Sequence, residues 1–467
     1  MPRLIDSLSA IVGPEHVLKS HDDVEPYLND WRRRYHGSAQ CVVRPGSATE
    51  VAAIVAACSQ AGIGVVPLGG NTGLVGGGVP KNDEVVVSLE RMNRIRHVDA
   101  DNNTITVEAG CILQNVQEAA ERVNRLFPLS LAAEGSATIG GNISTNAGGV
   151  QVLRYGNMRD LVLGLEVVLP DGRLWNGLRA LRKDNTGYDL KHLFIGAEGS
   201  LGLVTAAVLK LFPRPQAQLT AWLAVPSPQA AVAVLSRLRE HCGERVTAFE
   251  VMGRSALELV AKHLPQVHLP MAATYEWQVL LELNDTWAAA PLQDMLTEVL
   301  EPLLAQGDVL DAVLASSVAQ SRQLWQVREN IPEAQKIEGF SIKHDISMPI
   351  SAIAPFIEQA KVALEKSFPN LRIVCFGHAG DGNLHYNLST PVGDGAVFMQ
   401  NTETINHIVH DLAHGFGGSI SAEHGIGQLK KHELVRYKSK LEMDLMHTIK
   451  DSLDPQKVLN PGKLFIE

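Results

Sequence analysis

Three glycine-rich segments constrain the fold of this chain more than any other feature. They cover residues 67–80 (PLGGNTGLVGGGVP), 134–149 (EGSATIGGNISTNAGG) and 186–205 (TGYDLKHLFIGAEGSLGLVT). Glycine weakens the interior of helices and strands, but it lets backbone N–H groups approach a ligand without a side chain in the way. Successive amides of this kind form anion-binding nests. Three such segments in one region predict a long ligand with a diphosphate, lying along the backbone.

The alternative for the first segment is an ordinary flexible turn. Six of its fourteen residues are glycine, yet the sequence GLVGGGV is too apolar for a solvated linker. Its spacing is neither the Walker pattern nor a dinucleotide fingerprint that opens a helix. A phosphate-binding loop of another kind is the better interpretation.

Length and pattern predict more than one domain. At 467 residues the chain is too long for a single hydrophobic core. A helix is predicted after Ser47, with Glu50 completing a capping box and Gly62 ending the helix. Strands and helices then mix without a strict β-α-β-α rhythm, which favours an α+β domain over a doubly wound one. A second α+β pattern follows the proline-punctuated segment LFPRPQAQ.

These patterns divide the chain into three predicted parts. Residues 1–215 form the domain that holds the long ligand. Residues 216–420 form a second α+β domain, which carries a histidine-containing segment. Residues 421–467 are too few for a domain, so we expect them to pack on the first domain and complete the active site.

Composition excludes several classes of function. The formal net charge is −10, whereas a nucleic-acid-binding protein needs a basic face. The five cysteines are scattered and form no C-x-x-C pair, so neither a disulfide framework nor a thiolate metal cage is expected. No apolar run approaches the roughly twenty residues of a membrane span. The N-terminal residues also lack the apolar block of a signal peptide, and we expect a soluble, cytoplasmic protein.

The segment GHAGDGNLHYNL contains two histidines, His378 and His385, among glycines and one acid. A metal site and a turn with structural histidines both fit that pattern. The segment SAEHGIG adds a carboxylate, Glu423, and a neighbouring imidazole, His424. Two imidazoles and one carboxylate suit zinc or another divalent ion with open positions. We therefore predict His378, His385 and Glu423 as metal ligands, which leaves His424 to act as a general base.

A second group of histidines has no such partners in the sequence. His407, His410 and His414 are three and four residues apart, which is the spacing of one face of a helix. We predict that all three lie on the surface.

The glycine-rich segments resemble the FAD-binding domain of the vanillyl-alcohol-oxidase-type (PCMH-type) flavoproteins, in the branch of D-lactate and D-2-hydroxyglutarate dehydrogenases. The resemblance covers essentially the whole chain. It implies an α+β architecture with a PCMH-type FAD-binding domain and an α+β cap domain that binds the substrate. The FAD-binding residues that it implies are Pro67, Gly69, Gly70, Asn71, Thr72, Gly73, Leu74, Glu134, Ser136, Gly140, Gly141, Asn142, Thr145, Asn146, Gly149, Gly199, Val204 and Asn460.

The resemblance also bears on how FAD is held. Many members of the family attach FAD covalently through a histidine in the first glycine-rich loop. The loop in this chain has no histidine. We therefore expect FAD to be bound without a covalent link.

In this family the HAGDGNLH and EHG motifs form a metal-dependent substrate site beside the flavin. The resemblance implies that Arg328 and Lys343 bind the acid end of the substrate and that Asn387 is a further donor. Arginine offers a planar fork and lysine a point charge. Pro332 stands where hydroxyglutarate enzymes of the family carry a hydroxyl residue, so the preference for a second carboxylate group stays open.

These observations predict an FAD- and divalent-metal-dependent dehydrogenase, with zinc as the favoured metal, that oxidises a D-2-hydroxyacid to the 2-oxo acid. D-2-hydroxyglutarate is favoured, with D-malate and D-lactate as alternatives. We expect a soluble electron acceptor such as an electron-transfer flavoprotein, because the sequence contains neither an iron–sulfur motif nor a membrane segment for a quinone site. The sequence pattern carries no signature of the oligomeric state, for which the family would imply a homodimer.

Two other functions compete with this prediction. The first is a flavin-carrying subunit of a glycolate- or lactate-oxidising complex, which would not need a complete set of metal ligands and a base. The second is a metal-dependent hydrolase, which would leave three glycine-rich loops unexplained.

Overall fold

The computed structural model describes residues 4–390 and 395–466, and these residues form two compact units. The first unit holds the described residues up to Gly148, then Gly156–Arg214 and the segment from Glu423 onward. The second unit holds Gly149–Tyr155 and Pro215–Ala422. The first unit is therefore assembled from three separate stretches of the chain.

The strands, in chain order, are β1 (Val17–Leu18), β2 (Ala39–Val43), β3 (Val65–Leu68), β4 (Glu84–Ser88), β5 (Ile95–Asp99), β6 (Thr104–Glu108), β7 (Arg125–Leu126), β8 (Val162–Val168), β9 (Leu174–Gly177), β10 (Leu203–Lys210), β11 (Phe212–Pro213), β12 (Ala217–Val225), β13 (Val246–Gly253), β14 (Trp277–Asp285), β15 (Asp311–Leu314), β16 (Asp345–Ser347), β17 (Arg372–Gly377) and β18 (Asn383–Ser389).

The α-helices are α1 (Leu4–Val12), α2 (His21–Val24), α3 (Ala48–Ala61), α4 (Leu113–Arg122), α5 (Ile139–Ser144), α6 (Val152–Tyr155), α7 (Met158–Leu161), α8 (Lys191–Phe194), α9 (Pro228–Cys242), α10 (Arg254–His263), α11 (Leu292–Gln306), α12 (Val318–Glu329), α13 (Ile331–Glu338), α14 (Ile353–Ser367), α15 (Gly395–Met399), α16 (Thr402–Gly415), α17 (Lys431–Tyr437) and α18 (Lys440–Leu453). Short 3₁₀ helices lie at Pro14–His16, Glu25–Tyr27, Gly243–Arg245 and Ile350–Ala352.

The first unit contains two larger sheets. One has the strand order β1-β2-β4-β3, in which β2, β4 and β3 run parallel and β1 pairs antiparallel with β2. The other is antiparallel throughout, with the order β5-β6-β10-β8-β9. Strands β7 and β11 form a separate short pair.

Helix α3 illustrates how local sequence forms the first unit. Ser47 Oγ accepts a hydrogen bond from the N–H of Glu50 at 3.2 Å, and Gly62 ends the helix in the left-handed conformation with φ +67°. The predicted capping box is wrong in its second hydrogen bond. Glu50 Oε2 accepts from the N–H of Gly46 at 2.7 Å and not from the N–H of Ser47. The carboxylate thus holds the chain one residue upstream of the helix cap.

The second unit is built on one antiparallel sheet with the order β15-β12-β14-β13-β17-β18-β16. Its central strands are apolar on both faces because both faces are covered. Leu223 belongs to one buried cluster with residues of α9, α11, α14 and α16. Its neighbour Trp222 belongs to another, with residues of α10, α12 and α13. This explains why the sequence of β12 does not alternate between apolar and polar residues.

The predicted surface position of His410 is wrong. His410 is only 3% exposed on α16, and its ring lies edge-on to that of the buried His344, with ring centroids 5.3 Å apart. His414 is exposed and His407 is half-buried. The apolar face of α16, with Ile405, Val409 and Ala413, is broad enough to take His410 into the core.

Two further observations concern the whole described chain. All five cysteines are buried free thiols. Among residues 4–390 and 395–466 there is no helix long and apolar enough to cross a membrane.

Candidate functional site

The first unit contains an open cleft that encloses about 1040 Å³, including the solvent-filled space at its mouth. Its walls come from the loop after β3, from α5, from the loop before β10, and from the C-terminal segment. The predicted residues that line it are Pro67, Gly69, Gly70, Asn71, Thr72, Gly73, Gly140, Gly141, Asn142, Thr145, Gly199, Val204, His424 and Asn460. Segments far apart in the sequence therefore share one cleft.

The glycines in this cleft are required by close backbone approaches. A Cβ atom at Gly70 would collide with the carbonyl oxygen of Ser136. At Gly199 the backbone has φ +72°, and a Cβ atom would lie 2.5 Å from Cγ of Pro67. The first glycine-rich loop is thus packed directly on the second and the third, and side chains at these two positions would separate them.

Three buried polar atoms in the cleft have no hydrogen-bond partner within the described chain. They are Thr138 Oγ1, Asn142 Nδ2 and Asn460 Oδ1. Buried polar atoms are nearly always paired, and a ligand bound in the cleft would supply partners for these three. One donor-capable hydroxyl, one amide donor and one carbonyl acceptor suit a polar dinucleotide cofactor, and this set fits FAD.

A buried carboxylate, Glu198, holds the loop that carries His424. Its Oε1 accepts from the N–H of Ile426 at 2.7 Å and its Oε2 from the N–H of Gly427 at 2.8 Å. Burial raises the pKa of Glu198, and the two N–H donors only partly offset that effect. Asn460 Nδ2 also donates to the backbone oxygen of Glu198 at 2.7 Å. The C-terminal segment is therefore tied to the third glycine-rich segment.

Five predicted cofactor residues lie outside the cleft walls in the described structure: Leu74, Glu134, Ser136, Asn146 and Gly149. Glu134 and Asn146 have structural partners, since Glu134 Oε1 accepts from the N–H of Leu131 and Asn146 Oδ1 from the N–H of Arg159. Gly149 belongs to the second unit. Ser136 contributes through the backbone oxygen that packs on Gly70.

In the second unit, the two predicted metal-binding histidines lie close together. His378 follows β17 and His385 is on β18, and their ring centroids are 5.7 Å apart. A ring nitrogen of one lies within 4.8 Å of a ring nitrogen of the other. The pairing of β16 with β18 also sets the buried carboxylate of Asp345 opposite His385. This arrangement of two imidazoles suits a divalent cation.

A second buried carboxylate, Glu250, lies between Arg328 and His378. Its Oε2 accepts from Arg328 Nε at 2.7 Å, and its Oε1 is 2.6 Å from His378 Nδ1. Burial acts to raise the pKa of Glu250, but the charges and hydrogen bonds of His378 and Arg328 outweigh it and lower the pKa to about 2. Arg328 also lies over the ring of Phe376, with Cζ 4.8 Å from the ring centroid.

The other predicted substrate residues have different surroundings. Asn387 is buried, and its amide is used within the protein: Oδ1 accepts from the N–H of His344 and Nδ2 donates to Gln335 Oε1. Lys343 is half-buried, just before β16. Pro332 is exposed in the first turn of α13, where a missing N–H costs nothing.

Both halves of the chain match known sequence families. Residues 39–177 match the family described as FAD binding domain. Residues 214–464, more than half of the chain, match the family described as FAD linked oxidases, C-terminal domain. The chain belongs to the FAD-linked oxidases.

Relatives of this FAD-linked oxidase carry two kinds of name. A D-2-hydroxyglutarate dehydrogenase of Xanthomonas citri pv. viticola is 40% identical over 466 residues, which are 99% of this chain and 97% of the relative. A probable mitochondrial D-2-hydroxyglutarate dehydrogenase of Oryza sativa subsp. indica is 39% identical over 465 residues (98% and 81%). A putative mitochondrial D-lactate dehydrogenase of Schizosaccharomyces pombe is 36% identical over 469 residues (98% and 87%). The family predicted from the sequence is confirmed, and the protein is an FAD-dependent oxidoreductase.

A solved structure confirms the predicted fold class of this FAD-linked oxidase. The crystal structure of p-cresol methylhydroxylase with substrate bound superposes with a TM-score of 0.79, over 99% of this chain and 96% of that one, at 17% identity. At that identity the likeness concerns the fold alone. The PCMH-type α+β architecture that the family resemblance implied is therefore correct.

Sequence reasoning missed four residues of this oxidase's candidate sites: Thr138, Glu198, Glu250 and Asp345. Glu250 had a readable signal, because it is the one charged residue in the apolar segment TAFEVMG, and a buried charge needs a partner. Thr138 and Glu198 lie inside segments that were recognised for their glycines. Their roles depend on contacts between distant parts of the chain, which no local pattern carries.

Proposed function

We propose that this protein is an FAD- and divalent-metal-dependent dehydrogenase that oxidises a D-2-hydroxyacid, D-2-hydroxyglutarate foremost, to the 2-oxo acid. One observation carries the proposal. His424, the predicted base, lines the same cleft as the glycine loops that fit FAD. A base beside a flavin site is what removal of a hydroxyl proton together with a hydride requires.

The residues for FAD are those of the cleft. The backbone N–H groups of the loop from Gly69 to Gly78 supply donors for a diphosphate, as in other glycine-rich nests. Thr138, Asn142 and Asn460 supply the unpaired buried atoms. FAD, when bound, supplies the hydride acceptor. The absence of a histidine from the first loop supports non-covalent binding.

For the metal, we propose zinc or a similar divalent ion held by His378, His385 and Glu423. The proximity of the two imidazoles supports the first two ligands, and the sequence resemblance supports Glu423, the residue next to His424. A divalent cation held there lowers the pKa of a bound hydroxyl group.

Each remaining residue has a proposed role toward the substrate. His424 Nδ1 or Nε2 takes the hydroxyl proton, since an imidazole has a pKa near neutral pH. Arg328 and Lys343 bind the carboxylate end. Because both polar ends of the Asn387 side chain are engaged with protein groups, we propose that it orients the segment around His344 in addition to any contact with the substrate.

The electron acceptor and the assembly state are proposed from the resemblance. We propose a soluble redox protein such as an electron-transfer flavoprotein as acceptor, and a homodimer as the assembly.

The test is a screen of D- and L-2-hydroxyacids with an artificial dye as electron acceptor, on protein whose flavin content is known from its visible spectrum. The expected result is reduction of the dye with D-2-hydroxyglutarate and not with its L-enantiomer. A protein that binds flavin but reduces dye with no 2-hydroxyacid would contradict the proposal and favour a flavin-carrying subunit.

A further inference from the structure

We propose that Glu250 is a positioning residue that fixes His378 as a metal ligand and at the same time compensates the charge of Arg328. The inference rests on the proposed function, which supplies the metal. It adds a residue to that site which neither the sequence motifs nor the family match identifies.

The geometry of Glu250 is that of a carboxylate shared by two partners. It lies on β13 with its side chain fully buried, between the end of α12 and the loop after β17. One carboxylate oxygen faces Arg328 Nε at 2.7 Å and the other faces His378 Nδ1 at 2.6 Å. Both contacts join residues far apart in the sequence, 78 positions for Arg328 and 128 for His378.

This contact determines which nitrogen of His378 can hold a metal. Glu250 already accepts a hydrogen bond from Arg328 Nε at 2.7 Å, and a carboxylate paired with a guanidinium accepts hydrogen bonds rather than donating them. Nδ1 of His378 must therefore carry a proton that it donates to Glu250. The ring nitrogen that can supply a lone pair is then Nε2. Histidines that bind metals commonly donate their other N–H to a carboxylate in this way, which fixes the ring and raises its basicity.

The same cluster extends to the second proposed ligand. The guanidinium of Arg328 lies over the ring of Phe376, and the centroid of that ring is 5.0 Å from the centroid of His385. Glu250 thus contacts one imidazole directly, and through Arg328 and Phe376 it supports the packing of the other. A change at Glu250 is expected to loosen both.

The arrangement also changes the charge that a substrate would meet. Arg328 and Glu250 together carry no net charge, so Arg328 offers hydrogen-bond donors rather than an uncompensated cation. Burying the pair is tolerable because each charge is matched; removing one partner would leave the other unpaired.

The experiment measures metal affinity, which does not depend on turnover. Metal is first removed from full-length, FAD-loaded protein with a chelator, which is then dialysed away. Zn²⁺ is then titrated into the protein in the presence of a chromophoric chelator that competes for the ion. Glu250→Gln should weaken Zn²⁺ binding about 10- to 100-fold. The matched control is Glu282→Gln, a buried carboxylate on the adjacent strand whose partners Gln218, Asn284 and Trp325 are all neutral. The control should bind Zn²⁺ as the unmodified protein does.

A double variant separates positioning from a general loss of structure. Because Glu250 contacts His378 directly and His385 only through Arg328 and Phe376, Glu250→Gln should cause a much smaller loss of Zn²⁺ affinity in a His378→Asn background than in the unmodified protein. Where Glu250→Gln fails to fold, as judged by its circular dichroism and thermal unfolding, the variant Glu250→Gln/Arg328→Leu removes both charges together and should show the same weakening.

Two results would overturn the inference. They distinguish a failure of the role of Glu250 from a failure of the proposed metal dependence. Unmodified protein that binds Zn²⁺, together with a Glu250→Gln variant of equal affinity, overturns the role of Glu250 alone. Unmodified protein that binds no Zn²⁺ overturns both this role and the metal dependence of the proposed function.

Discussion

The backbone N–H of Ile426 donates to Oε1 of Glu198 at 2.7 Å, although the two residues are 228 positions apart in the chain. Gly427 donates to the other oxygen of the same carboxylate. The loop that begins with Glu423 and His424 is therefore held at its far side by a residue of the third glycine-rich segment. This contact fixes the predicted base within the cleft.

Replacing Glu198 with Gln should lower kcat about 10- to 100-fold, because a small displacement of a catalytic group has effects of this size. The glutamine side chain has only one oxygen, so its NH₂ group would face the N–H of either Ile426 or Gly427 and one of the two hydrogen bonds would be lost. Steady-state kinetics should show kcat falling more than KM changes. The control is Glu84→Gln in the same unit, where the carboxylate also accepts from two backbone N–H groups, those of Lys81 and Asn82. Equal kinetic losses in both variants would contradict a specific role for Glu198.

Removing the metal should abolish turnover and leave FAD bound, because the proposed imidazole ligands and the glycine loops belong to different units. The measurement compares dye reduction with the visible flavin spectrum before and after treatment with a chelator. Adding back Zn²⁺ should restore activity. Full activity in protein shown to be free of metal would disprove the metal dependence.

The variant His424→Asn should lose activity about 100- to 10,000-fold, the usual range for loss of general-base catalysis. It should keep both FAD and metal, since His424 is proposed as a base and not as a ligand. His432→Asn is the control, because His432 is an exposed histidine of the same C-terminal segment. If metal analysis shows that the ion is lost together with activity, His424 belongs to the metal ligands instead.

D-2-hydroxyglutarate or D-malate should be a better substrate than D-lactate. Lys343 is proposed to bind the second carboxylate of the substrate, whereas Arg328 is paired with Glu250. Lys343→Ala should lower kcat/KM for the diacid by about 10- to 100-fold, the equivalent of a charge-assisted hydrogen bond worth about 1.5–3 kcal/mol. D-lactate should be affected less. Lys336→Ala, at an exposed lysine of α13, is the control, and an equal loss for both acids would contradict the two-carboxylate interpretation.

The stability of the second unit should depend on pH through Glu338. Partial burial acts to raise its pKa, but hydrogen bonds from Lys262, Arg372 and His263 outweigh burial and lower the pKa to about 2. A carboxyl group with a lowered pKa stabilises the fold above its unfolded pKa, near 4.5, and loses that contribution as the pH falls toward 2. In urea unfolding at pH 7, Glu338→Gln should therefore have a lower free energy of unfolding than the unmodified protein. This difference in free energy should shrink below pH 4.5.

The control for this titration is Glu365→Gln, whose carboxylate forms an exposed pair with Lys361 at 3.9 Å. Exposed pairs of this kind contribute little to stability. A pH dependence of the same size in both variants would contradict the assignment to Glu338.

Local features of this protein could be predicted from its sequence, and long-range contacts could not. The cap at Ser47 and the end of α3 at Gly62 follow from rules that act within one turn of a helix. The FAD-linked family was recognisable because its glycines recur in fixed short patterns. By contrast, Glu198 and Glu250 acquire their partners only when distant segments pack together. The spacing of His410 indicated a helix face correctly but did not indicate how broad the buried face of α16 would be.

The division of the first unit into three stretches has a consequence for synthesis of the chain. At about 5–20 residues per second, the segment with His424 and Asn460 leaves the ribosome roughly 10 to 50 seconds after Arg214. During that interval the second unit, nearly continuous in sequence, can bury its core, while the walls of the cleft lack their C-terminal part. Flavin incorporation should therefore be a late, post-translational step, and chains interrupted before Glu423 should accumulate as colourless protein with a folded second unit.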